Sequence, residues 1–180
     1  MGPVRLYVTG ASGAGVTTLG AGLATALNAR HVDVDDDYWM PTDPPYTTKR
    51  PPPERVRLIK ARLNGDRWVL SGSFDGWGDE LIENVDRVLF VDTPTDIRLR
   101  RLRQREGDRF GPRILPGGDM DQNHRAFMSW AASYDDGDFP GRNRLRHERW
   151  LQQLSVPVTR LSGDRAVDEL IRQVLATMAA

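Results

Sequence analysis

The sequence predicts an α/β fold, a parallel sheet of five strands with helices on both faces, and three observations predict it. Five short apolar stretches alternate with longer stretches of helical periodicity. The first apolar stretch runs directly into a glycine-rich turn that opens a helix. The second ends in aspartates at the same C-terminal strand edge as that turn, which is where ligands bind in sheets of this kind.

Taken in order, residues 4–9 read as a short buried strand, and residues 17–29 carry Leu19, Leu23 and Leu27 at helical spacing. Val32 and Val34 alternate with Asp33 and Asp35, which predicts a second strand with both carboxylates on one face near its end. The stretch MPTDPPYTTKRPPPE is too rich in proline for a regular element, and it delivers Pro53 and Glu54 to the first turn of a helix through about Leu63. RWVLSGS and RVLFVDTP are the third and fourth strands, each followed by a helical pattern. The Gly/Asp-rich DDGDFPGRN reads as a loop. VPVTRLSG is the fifth strand, and Val167, Leu170, Ile171, Val174, Leu175 and Met178 form an apolar helical stripe after it. A single domain over residues 1–180 is expected.

The 25 basic and 25 acidic side chains cancel, so no global field draws the chain toward nucleic acid or an anionic membrane. Neither is expected as a partner. With no cysteine, disulfides, thiolate nucleophiles and cysteine-held zinc drop out, and a reducing cytoplasm is the expected location. The start MGPVRLYVTG lacks the pattern of a signal peptide, and no run of 18 apolar residues predicts a membrane span. Lys49 and Lys60 are the only lysines.

Residues 9–18 read TGASGAGVTT. The phosphate-loop pattern is Gly, four residues, Gly, Lys, then Ser or Thr, and Gly10, Gly15 and Thr17 fall at that spacing with Val16 in place of the lysine. Its glycines let successive N–H groups turn inward, and the helix that follows adds a partial positive charge. Gly10, Ala11, Ser12, Gly13, Ala14, Gly15, Val16, Thr17 and Thr18 are therefore the expected polyphosphate cradle, with the Thr17 hydroxyl available to Mg2+. The bland alternative is a glycine turn that only packs a strand against a helix.

Over nearly its whole length the chain resembles the P-loop small-molecule kinases of the adenylate kinase and shikimate kinase type. GASGAGVTTLGAGLA with HVDVDDDYW is especially similar to a bacterial adenylate-kinase-like ATP-binding group that also lacks the loop lysine. The resemblance implies a three-layer P-loop NTPase, NMP-kinase-like, with an acceptor-side segment at about 38–65 and a helical lid at about 105–122. It implies ATP, with GTP left open, and Mg2+ as cofactors, and a small acceptor of unidentified kind. Asp33 and Asp35 match the Asp-x-Asp of shikimate kinase, which implies that Asp33 works with the metal and Asp35 with the acceptor hydroxyl. Ser71 stands where adenylate kinase carries an aspartate, leaving Asp75 or Asp79 to contribute from the loop.

Seven arginines lie between 98 and 113, and Arg98, Arg101 and Arg105 share a helix face while Arg109 and Arg113 fall in the glycine-bearing stretch beyond. The resemblance implies that Arg101, Arg105, Arg109 and Arg113 serve the transferring phosphoryl group, whose charged oxygens suit guanidinium forks. A solvated helix or an RNA-contacting patch is the alternative. Lys49 or these arginines could replace the loop lysine. Trp39 and Trp77 could wall an acceptor pocket or pack a loop, and Tyr46, Lys49 and Arg50 suit an anionic acceptor or hold their segment in place. Asp164 reads as a helix cap, Phe127, Trp130 and Tyr134 as core, and His31, His124 and His147 show neither zinc spacing nor a catalytic arrangement. The expected activity is phosphoryl transfer from ATP to a small molecule. A nucleotide-binding regulator that turns nothing over is the runner-up, supported by Val16 and Ser71, and an RNA-binding module is third.

Overall fold

The computed structural model describes residues 2–179. β1 (Val4–Gly10) runs down the middle of the sheet between β3 (Arg67–Ser71) and β4 (Arg87–Asp92), with β2 (Arg30–Asp33) outside β3 and β5 (Val158–Ser162) outside β4. All four pairings are parallel, and Leu6 lies opposite Val69 on one side and Arg87 on the other. A central parallel strand is covered on both faces, which is why VRLYVTG is nearly continuously buried instead of alternating. Leu6 and Val8 face one apolar cluster with Leu19 and Leu23 of α1 (Val16–Ala26) and Leu170 and Val174 of α7 (Val167–Ala179). Tyr7 faces the other, with Trp68, Phe74, Phe90, Ile59 of α3 (Pro52–Arg62) and Leu151 of α6 (Arg144–Gln152).

Several boundaries differ from the sequence expectation for physical reasons. α1 ends at Ala26, three residues early, because Asn28 takes a left-handed φ of 48° and the amides of Asn28 and Ala29 bond back to Thr25 and Ala24. β2 stops at Asp33 and Val34 is already helical, so Asp35 opens the single turn α2 (Asp35–Tyr38) and does not share a strand face with Asp33. The Asp33 side chain explains the stop: its Oδ1 accepts from the Asp35 amide at 3.0 Å, a local bond that competes with the ladder. After β3 comes no α-helix but a glycine-punctuated loop and a 3-10 turn, Asp79–Asn84. Asp164 does not cap α7; its carboxylate accepts from the Ser162 hydroxyl at 2.8 Å.

α4 (Thr95–Phe110) is longer than expected and includes Arg109; Gly111, at φ 50°, closes it, and Arg113 lies in the 3-10 turn Gly111–Ile114 that leads toward α5 (Asp121–Ala132). The loop before α6 ends in Asn143, which caps that helix by accepting from the Arg146 amide at 2.8 Å. Among the described residues no helix is long and apolar enough to cross a membrane.

Candidate functional site

The turn between β1 and α1 keeps its amides free. Gly13 and Gly15 take φ values of 80° and 98°, which suit glycine, and a Cβ on Gly10 would meet the Val91 carbonyl oxygen at 2.5 Å. Among the described residues, the amides of Ser12, Gly13, Gly15, Val16, Thr17 and Thr18 donate to no protein acceptor, while Ala14 donates to the Ala11 carbonyl. Three loop carbonyls are held by side chains instead: Gly10 accepts from Arg142 Nη2 at 2.8 Å, Ser12 from Arg98 Nη1 at 3.2 Å, and Ala14 from Thr93 Oγ1 at 3.1 Å and Arg101 Nη1 at 3.3 Å. With the carbonyl ends engaged, the N–H ends and the start of α1 are left for an anion.

Arg98 is a strut and not a cleft residue. It is fully buried, and its guanidinium ties Thr93, Thr95 and Ser12 to the Ala131 carbonyl of α5. The face it was expected to share with Arg101 and Arg105 is instead formed by Arg101, Arg105 and Arg109, one α-helical turn apart along α4. These three, with Gln104 and Asp108, line an open pocket of about 550 Å³. Arg105 is paired with Glu106 at 3.0 Å and lies over the Phe127 ring. Arg113 stands apart, paired with Asp119 and Asp43.

Across from the loop stand the carboxylates. Asp35 is open to solvent yet crowded by protein around the cleft; that partial burial, reinforced by the Asp33 charge, raises its carboxyl to about 6, with Arg105 and Arg142 pulling the other way. Two arginines and two aspartates from four segments therefore act on one space. Asp75 enters the same corner from the β3 loop, 3.4 Å from Arg142 Nε and bonded to the Ser73 hydroxyl. Burial works to raise its carboxyl, but the Arg142 charge and the Ser73 bond hold it below the ordinary value.

Arg142 escaped the sequence reading because nothing in its spacing marks it. Its position comes from the neighbouring Asn143, whose side chain both caps α6 and donates to the Phe139 carbonyl at 2.7 Å. Ser71 faces away from the cleft: it is buried, bonded to His31 Nε2 at 2.9 Å, and pressed beneath Gly20 of α1. Asp79 accepts from the Gly76 amide and the Trp150 indole, and so holds its loop. His147, bonded to the Tyr134 hydroxyl, is kept neutral by burial and the Arg142 charge, which pull it down to about 4.

Residues 38–50, the segment expected to face an acceptor, fold back on themselves through a bridge between Trp39 and Lys49 and bonds from Met40 to Thr48 and Arg50 to Tyr38. The Arg50 guanidinium is engaged by the Asp37 and Trp39 carbonyls and by Glu54, so it holds the segment together. Lys49 is exposed, 6.0 Å from the Tyr38 ring centre, and among the described residues no carboxylate lies in ion-pair range of it. Trp77, Tyr38, Trp39, Tyr46 and Phe110 stand ring against ring, with centroids 4.9 to 6.2 Å apart, from the β3 loop to the end of α4. Arg109 donates to the Tyr46 hydroxyl at 3.1 Å and Arg113 to Asp43 at 2.8 Å, so the end of α4 and the turn after it rest on this segment.

The donors at the loop fit a hard divalent cation. Among the described residues the exposed Thr17 hydroxyl is bonded to no protein group and Asp33 spends one oxygen on the Asp35 amide, and both candidate donors are oxygen. Among the described residues no group of three or more acidic, histidine or cysteine side chains is placed to hold a metal ion.

Loop, sheet order and cleft define the P-loop fold of small-molecule kinases. The chain superposes on shikimate kinase from Bacteroides thetaiotaomicron with a TM-score of 0.60 at 16% identity, covering 98% of this chain and 99% of that one. Shikimate kinase from Acinetobacter baumannii in complex with shikimate gives 0.58 at 16% identity, over 99% and 94% of the two chains. A gluconokinase from Sinorhizobium meliloti 1021 gives 0.54 at 16%, over 98% and 92%. No protein-family model matches. The chain belongs to the family of "Uncharacterized protein YqaC" of Bacillus subtilis (strain 168), to which it is 41% identical over 172 residues, 95% of each chain.

Proposed function

We propose that this protein is a magnesium-dependent phosphotransferase that moves the γ-phosphoryl group of ATP, or of GTP, to a small hydroxyl- or phosphate-bearing acceptor. The observation that carries the reading is the meeting of six unpartnered amides between Ser12 and Thr18 with Asp35, whose carboxyl is raised to about 6 by crowding and by Asp33, within the field of Arg105 and Arg142. Phosphoryl transfer needs positioned phosphates, neutralised charge and a group that takes the acceptor proton. The cradle supplies the first. Asp35 is ionised at neutral pH and supplies the last. Thr17 and Asp33 hold the metal, Arg105 faces the transferring group, and Arg142 beside Asp75 orients an anionic or hydroxyl-rich acceptor along the wall of Trp39, Tyr46 and Trp77. Mg2+ bound with the nucleotide supplies charge neutralisation at the phosphates.

The test is ADP release from Mg-ATP and Mg-GTP against a panel of nucleosides, nucleotides, sugars and cyclic alcohols. Acceptor-dependent release that disappears in Asp35→Asn is the expected result. Tight nucleotide binding with no release under any acceptor would turn the reading to a regulator that keeps the cradle without turnover.

A further inference from the structure

The loop has no lysine, yet a cation touches it. α4 packs directly on the phosphate loop: a Cβ on Gly13 would meet the Arg98 carbonyl oxygen at 2.7 Å and the Leu102 Cγ at 2.9 Å. That contact brings the next outward residue, Arg101, to the loop's second half. Its Nη1 donates to the Ala14 carbonyl at 3.3 Å and lies 3.6 Å from where a Gly15 Cβ would stand, next to Val16. Arg101 is half-buried, and among the described residues no carboxylate lies in ion-pair range of it, whereas its neighbours Arg98 and Arg105 are each paired with one. One arm of its fork is used on the loop. The rest of the guanidinium carries an uncompensated charge beside six unpartnered amides and at the mouth of the open pocket along α4.

We infer that Arg101 is the cation of this phosphate loop: delivered from α4, it binds the outer phosphates of the nucleotide in the place that a lysine at position 16 otherwise takes. The assignment rests on the proposed nucleotide-binding reading. It differs from lid duty in one respect, because a residue already bonded to the loop acts on nucleotide affinity before any lid movement. Val16 is half-buried against the apolar cluster of α1 and α7, an environment that the methylene stem of a lysine also tolerates. A guanidinium on Ala14 can therefore be exchanged for an ammonium on α1 without refilling the core.

The experiment uses that exchange. Affinity for the magnesium complex of a non-hydrolysable ATP analogue is measured by calorimetry in the full chain, in Arg101→Ala, in Arg105→Ala, and in each combined with Val16→Lys. Losing a charge-assisted phosphate contact weakens binding at least about tenfold in Arg101→Ala, and Val16→Lys restores most of that loss. Arg105→Ala, one turn farther from the loop, gains no comparable rescue. The Ala14 carbonyl keeps its Thr93 bond in Arg101→Ala, so the loop stays anchored, and a thermal melt checks that it does. Binding in Arg101→Ala within about twofold of the parent, or equal rescue of both arginine variants by the new lysine, overturns the assignment while leaving the proposed function standing. A parent chain that binds no nucleotide overturns both.

Discussion

The glycine loop at residues 10–18 and the segment at residues 38–50 are built by opposite means. Residues 10–18 make their site from main-chain amides, two left-handed glycines and a helix start, with α4 bracing them through Arg98 and Arg101. Residues 38–50 are held by side chains: an aromatic row, one short bridge, and an ion pair from Asp43 to Arg113 beyond α4. A site of amides depends on backbone angles and tolerates little change in any of its glycines. A site of side chains tolerates substitution in its fold and changes in what it selects.

The strongest blow to that contrast is Gly13→Ala. Its left-handed φ and the 2.7 Å approach to the Arg98 carbonyl oxygen leave no room for a methyl group. Stability falls by about 2–4 kcal/mol and nucleotide affinity by about 100-fold or more, read by urea unfolding and calorimetry. Next comes Asp35→Asn, which removes the proposed proton acceptor without touching the glycine loop. Turnover drops by about 10²–10⁴-fold while nucleotide affinity holds; a parallel loss of affinity would show that the two regions are not separable.

The pH dependence is a subtler probe. The folded Asp35 carboxyl titrates at about 6, above its ordinary 3.8, so the logarithm of the rate rises with unit slope up to about pH 6 and then levels. The folded state holds that proton more tightly than the unfolded chain does. The stability this contributes is complete below about pH 3.8 and is lost as pH rises through 6. Relative to the parent, Asp35→Asn therefore gains in melting temperature between pH 4 and 7; a constant difference would show that crowding and the Asp33 charge do not raise this carboxyl.

The smallest effect belongs to the aromatic wall. Tyr46 sits at a left-handed φ of 61°, so Tyr46→Gly removes the ring and the Arg109 contact while relieving about 1 kcal/mol of backbone strain. The fold should melt no earlier. The acceptor KM should rise about three- to tenfold with nucleotide affinity unchanged, and an unchanged KM would remove Tyr46 from the acceptor wall.

How far each region was legible follows the same division. Five strands, their parallel pairing and the glycine turn between β1 and α1 could be read because periodicity, Gly10, Gly15 and Thr17 act locally. The end of β2 was misplaced because an aspartate bonding its own backbone outcompeted the alternation of Val32 and Val34. Arg98 and Arg101, three residues apart, were expected to share one helix face. Packing made one a fully buried strut and left the other half-exposed on the loop. Arg142 and Asn143 carried no signal at all, since a GRN in a loop is ordinary until the chain brings it beneath Gly10.

By itself the sequence determined the α/β order, the position of the glycine turn and the loss of the lysine, all of which depend on neighbours within a few residues. Only tertiary structure decided which of many arginines stands at that turn, which carboxylates share its field and that Ser71 turns away. Charges reach across space with no regard for spacing along the chain, and burial, which sets what each of them does, exists only once the helices have packed on the sheet.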